Sequence, residues 1–281
     1  LSAERAASDP LPGGSLDPTS IPKYATDLVV PPEMPAAGTL KSGGRKGKAI
    51  PYYEIEMVQF QQQILPPGLP PTTVWSYGAR GLPQTRNYPA FTVENRVGTP
   101  TRVKWINGLV DANGNYLPHL LPVDQTVHWA NPPRDCKEGP ARSDCEGVSQ
   151  DPYDGPVPIV THVHGAHVGP ESDGYPEAWW LPNASNIPAG YATRGRRFGQ
   201  FDATNTEPGT AVFQYPNDQP STTLWYHDHA LGMTRSNVYA GPAGFWLLRD
   251  AGKDERLGLP GPAPKLGDKP GTRYYEIPIA I

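Results

Sequence analysis

Along this chain, apolar and polar positions alternate in short runs, the period-2 pattern of strands with one buried face. Residues 52–58 (YYEIEMV), 73–77 (TVWSY), 90–95 (AFTVEN) and 101–107 (TRVKWIN) predict four strands in the first part of the chain. Residues 159–164 (IVTHVH), 210–215 (TAVFQY), 222–229 (TTLWYHDH) and 244–249 (GFWLLR) predict four more, with a turn or short helix at 233–239. The proline-rich run 66–71 breaks the chain between two of them. Residues 111–158 and 165–201 read mostly as surface loop, long for connections inside a domain. An all-β sandwich or barrel accounts for many short strands separated by turns.

The periodicity also divides the chain. Residues 1–50 hold many Pro, Gly and Ser positions without a repeat and predict an extended N-terminal arm laid over a domain. Residues 51–250 form the β domain. Residues 251–281 read as a Pro/Gly/Lys-rich linker followed by a strand, 273–281 (RYYEIPIAI), that opens a second domain. A strand in that place needs partners to bury it, so the end of the chain reads as a cut. The start at Leu1 reads likewise as processing or trimming.

Composition narrows the classes. There are 36 Pro and 30 Gly among 281 residues, and the net charge of −4 is scattered. A nucleic-acid partner would want a concentrated basic face. The one basic cluster, 41–48 (KSGGRKGK), is glycine-rich and reads as a solvated loop. No apolar run approaches the roughly 18 residues of a membrane helix, so neither nucleic acid nor membrane is expected as a partner. Cys136 and Cys145 sit in a polar stretch where they either close a disulfide, as oxidising compartments favour, or remain free surface thiols. With the sequon Asn183-Ala184-Ser185, the disulfide reading points to an exported or extracellular protein, although no signal peptide is visible.

The chemistry lies in two histidine pairs, His162 with His164 and His227 with His229, each spaced i, i+2 on a predicted strand. That spacing points both rings of a pair to one face, and two such strands side by side present four imidazoles to one volume. An all-histidine set without thiolate points to copper among the metals imidazole binds. Four neutral rings bring no negative charge, so a carboxylate nearby is of interest. Asp173 either opens the turn at Gly174, as Asp-Gly favours, or holds a metal-bound water and passes protons. Asp228, between the second pair, should face the other way. His167, in the loop after His164, is a weaker ligand candidate, while His119 and His128 read as structural. Trp105 and Trp225 read as core rather than as electron relays.

The motifs 162–165 (HVHG) and 225–229 (WYHDH) resemble the two amino-terminal copper motifs of the multicopper oxidases. Residues 16–24 (LDPTSIPKY), 172–179 (SDGYPEAW) and 237–241 (NVYAG) extend the likeness to the bacterial spore-coat laccases, with bilirubin oxidase and phenoxazinone synthase as relatives. The resemblance implies cupredoxin-like Greek-key β-sandwiches. It implies His162 as a type 2 copper ligand, His164, His227 and His229 as type 3 ligands, and Asp173 as the proton donor during oxygen reduction. The implied reaction couples one-electron oxidation of small aromatic reductants, such as phenols, to four-electron reduction of O2 to water.

The family also needs a type 1 copper on a cysteine flanked by histidines. Cys136 lies between Asp135 and Lys137, and Cys145 between Asp144 and Glu146, so neither fits that motif. A second polypeptide, or a C-terminal fragment cleaved from the same parent, is therefore expected to carry the type 1 copper and the remaining ligands. Two rivals stand beside this reading. One is a zinc hydrolase, which a colourless zinc-loaded preparation would favour. The other is a stand-alone copper-binding β-domain, which copper bound without partner or oxidase activity would favour.

Overall fold

The computed structural model describes residues 16–41, 47–139, 142–258 and 264–279. The strands are β1 (Gly38–Lys41), β2 (Ala49–Gln62), β3 (Thr72–Ala79), β4 (Ala90–Arg96), β5 (Thr101–Asn107) and β6 (Trp129–Ala130). They continue with β7 (Asp144–Cys145), β8 (Thr161–His164), β9 (Thr210–Tyr215), β10 (Thr222–Asp228) and β11 (Ala243–Arg249). Two short helices, α1 (Thr234–Tyr239) and α2 (Ala251–Leu257), flank β11.

Two sheets face each other. In the first, the long strand β2 pairs with β1 and then β3 on one edge and, in parallel, with β5 on the other; β9 lies outside β5. The second runs β4-β11-β10-β8, with β4 and β11 parallel and the other pairs antiparallel. β2 buries alternate residues, as its sequence pattern requires: Tyr53, Ile55 and Met57 turn inward while Glu54 and Glu56 lie at the partly exposed face. Aromatic rings fill the space between the sheets. Tyr226 of the second sheet meets Tyr77 at 5.1 Å and Trp105 at 5.6 Å, and Trp246 meets Tyr215 edge-on at 4.7 Å. This is the predicted β-sandwich, and its core fixes the inner face of the strands whose outer face carries the histidines.

Three segments carry detail beyond their sequence reading. The arm is stitched to the domain: Glu33 bridges Thr92, Met34 is buried, and β1 pairs with β2. β1 leaves no pattern because it is four residues long at a sheet edge, with neither face covered. The linker begins with α2, capped by the Asp250 carboxylate, which accepts from the Lys253 amide, and closed by Gly258 at φ 64°. The run expected as a strand at 273–281 makes no ladder over its described part, 273–279; Glu276 instead pairs with Arg249 of β11. Of the basic cluster, residues 42–46 lie outside the described residues. Among the described residues, no helix is long and apolar enough to cross a membrane.

The stretch 111–158 is largely irregular, as read, but it holds the small β6–β7 ladder. Cys136 and Cys145 are joined there in a disulfide, with Cα atoms 5.7 Å apart.

Candidate metal centre

β8 and β10 lie antiparallel with His162 opposite His227 and His164 opposite Trp225. Alternation sends Val163 and Tyr226 into the core and leaves His162, His164, Trp225 and His227 together on the outer face. His229 follows directly. Its amide donates to the Val160 carbonyl at 2.7 Å, prolonging the pairing and bringing the fourth ring to the same side. The His162 ring centroid lies 5.5 Å from those of His164 and His227 and 5.1 Å from that of His229. His162, His164 and His227 each offer a nitrogen within 4.8 Å of the other two.

Hydrogen bonds orient these rings. His162 Nδ1 donates to the backbone carbonyl of Asp173, and His227 Nδ1 to that of Asp228 at 2.7 Å. A carbonyl can only accept, so both rings carry their proton on Nδ1 and turn the Nε2 lone pair outward. His227 Nε2 lies 3.3 Å from His164 Nδ1. Burial lowers the His227 pKa to about 4; the bond to Asp228 opposes this and the neighbouring imidazoles add to it. His229 is lowered as well, by burial and by His162. His227 and His229 are thus held neutral, the form that ligates a metal.

Does this set fit a copper ion? His229 Nδ1 is buried without a hydrogen-bond partner, and the His164 and His227 nitrogens converge. A buried nitrogen left unpartnered, as His229 Nδ1 is, is costly, and a cation with a preference for imidazole relieves it. The donors fit.

Asp173 is brought to the site by a return of the loop after β8. Gly174 stands at φ +78°, and a Cβ there would lie 2.3 Å from the Thr161 carbonyl oxygen, so only glycine lets the loop close on β8. The Asp173 carboxylate, with Oδ1 3.4 Å from His162 Nδ1, stays partly exposed. Asp173 thus opens the turn at Gly174 and lies beside His162.

Asp228 faces inward, as its position predicts. Its carboxylate accepts from Val160 N at 2.9 Å, Ala230 N at 3.2 Å and Asn237 Nδ2 at 2.9 Å. It pins the lead into β8, the turn after His229 and α1 at one point. The remaining histidines stay apart from the four: His167 pairs with Asp218, His128 with Glu138, and His119 packs between Trp75 and Tyr153. Trp105 is core, fully buried. Trp225 is not. It is 37% exposed on the outer face and stacks on His227 and His164. Its parity with His227 and His229 was the available signal, since residues at i, i+2 and i+4 of a strand share a face.

No protein-family model matches the chain. A laccase from Bacillus subtilis is 33% identical over 248 residues, covering 88% of this chain and 36% of the relative. A laccase from Bacillus stratosphericus is 33% identical over 262 residues, covering 93% of this chain and 38% of the relative. The chain belongs to the multicopper oxidases. The crystal structure of a multi-copper oxidase from Pediococcus acidilactici shares its fold, with a TM-score of 0.50 at 18% identity, over 86% of this chain and 33% of the other. This multicopper oxidase chain spans little more than a third of the length of these two laccases. Both of its cysteines are taken up in the disulfide, so neither is a free thiolate for copper.

Proposed function

We propose that this chain supplies half of a trinuclear copper site in a laccase-like oxidase that couples one-electron oxidation of phenolic or related substrates to reduction of O2 to water. The observation that carries the reading is the facing of the two histidine pairs across β8 and β10. His162 would hold the type 2 copper, and His164, His227 and His229 the type 3 coppers. Bound there, copper supplies electrons to oxygen from several ions at once.

The chain's own residues do the rest. The carbonyls of Asp173 and Asp228 keep His162 and His227 in the ligating tautomer. Asp173, close to His162 yet open to solvent, would carry protons towards the oxygen being reduced. The coverage of the relatives supports a partner, either a second polypeptide or a cleaved portion of the same parent, with the type 1 copper, the remaining ligands and the site for the small aromatic reductant. The disulfide supports an exported setting.

Native mass spectrometry of the protein as purified tests this reading. The expected species holds this chain, a second polypeptide and about four coppers, the count a type 1 site and a trinuclear site add up to. A chain that flies alone, with no copper or a single zinc, overturns it.

A further inference from the structure

Trp225 is the neighbour that two of the four histidines share. It precedes His227 by two positions on the same face of β10 and is the register partner of His164 on β8. Its indole lies nearly parallel to both imidazoles, 4.0 Å from the His227 centroid at 25° and 5.2 Å from the His164 centroid at 22°. The inward positions on either side, Leu224 and Tyr226, belong to the core, so Trp225 contributes little to it. Around its outer side, Val74, Val238 and Tyr239 line an apolar hollow next to His227, and Phe245 lines a second beside Trp225.

A histidine ring turns about a broad terminal torsion with two near-equivalent orientations. His227 is restrained by the bond from its Nδ1 to the Asp228 carbonyl, but His164 makes no such bond to a carbonyl; its Nδ1 meets only His227 Nε2. A flat indole against both rings removes the rotation that a lone side chain would keep, and it does so on adjacent strands at once.

We propose that Trp225 is a positioning residue for the metal centre: its indole clamps His164 and His227 with their ligating nitrogens converged. The proposal rests on the copper reading of the four histidines. It acts through ring orientation, so an aromatic replacement preserves it and an aliphatic one of similar bulk does not.

The test compares Trp225→Phe, Trp225→Leu and Trp225→Met in the copper-loaded protein with its full ligand set, following copper loss to excess EDTA. The two aliphatic variants should lose copper at least about tenfold faster than the parent, the range seen when supports of metal ligands are removed, and the phenylalanine variant within about threefold. The urea midpoint of the metal-free protein should be alike in all four, which a purely structural role would not allow. Equal copper loss from the leucine, methionine and parent proteins overturns the proposal, as does a phenylalanine variant as leaky as the leucine one. His227→Ala separates the two levels. If it sheds copper while the aliphatic variants hold it, only the clamp fails; if it too holds copper, the copper reading fails with it.

Discussion

His162 and His227 are direct partners in the β8–β10 ladder, with ring centroids 5.5 Å apart and nearly perpendicular planes. The relationship depends on register. A slip of β8 by one residue would send His162 and His164 into the core and turn Val163 out, away from the face that carries His227. The core residues between the histidines therefore hold the metal site in place without touching it. If the two rings belong to one copper cluster, as proposed, His162→Ala and His227→Ala are each expected to remove copper, and combining them should cost little more than the stronger single change. Copper per chain by elemental analysis checks this; independent, additive losses would show that the rings do not belong to one cluster.

Gly174 is where the loop carrying Asp173 comes closest to β8. In Gly174→Ala the new methyl would sit 2.3 Å from the Thr161 carbonyl oxygen, at a backbone angle of +78° that L-residues disfavour. The backbone term alone is about 1–2 kcal/mol, and the clash adds to it. We expect a loss of about 2 kcal/mol or more in urea unfolding, together with weaker copper retention, since the Asp173 carbonyl that orients His162 must move. An alanine variant with the parent's urea midpoint would mean that the loop has room the structure does not show.

Much of this site was legible in the chain because two periodicities agree. The i, i+2 histidines sit on runs whose neighbours, Val163 and Tyr226, alternate towards the core, so one pattern gives both the strand and the shared face. Asp228 was legible by the same parity. Trp225 has that parity too, but its size argued for the core, and size prevailed over position. β1 and α2 left weaker traces: β1 is exposed on both faces, and α2 is a seven-residue helix whose Asp250 and Gly258 caps lie inside a Pro/Gly/Lys-rich stretch. The meeting of Asp173 with His162 was beyond sequence, because it depends on the path of an eleven-residue loop return.

His119 should leave a mark on the pH dependence of stability. Burial against Trp75 and Tyr153 pushes its pKa down to about 3, with the Asn237 side chain partly opposing. Between about pH 3 and the ordinary 6.5, the unfolded chain takes up a proton that the folded chain refuses. This residue's share of stability is therefore full above pH 6.5 and is lost as the pH falls towards 3, by at most about 1.4 kcal/mol per pH unit. The difference between the parent and His119→Gln isolates it. Urea unfolding of both, in metal-free form from pH 4 to 8, should give curves that diverge in slope only below about pH 6.5; parallel curves would show that His119 titrates normally.

The disulfide reaches further than its own hairpin. Next to Cys145, the buried carboxylate of Asp144 receives Arg196 Nε at 2.7 Å, and Arg196 Nη2 donates to Glu177 at 2.8 Å. Glu177 lies in the single helical turn Pro176–Ala178 that follows the Asp173 loop. Closing a loop between positions nine apart stabilises the folded chain by roughly 3 kcal/mol on the chain-entropy view. The double variant Cys136→Ser with Cys145→Ser should lose about that much in urea unfolding of the metal-free protein. It should also release copper faster from the loaded protein, because one support of the loop beneath His162 is loosened. Arg196→Gln, with the disulfide intact, separates the two effects: it should leave most of the stability in place and still speed copper release. If the serine double variant destabilises the chain but holds copper like the parent, the hairpin acts only as a local staple and the path through Arg196 carries nothing to the metal centre.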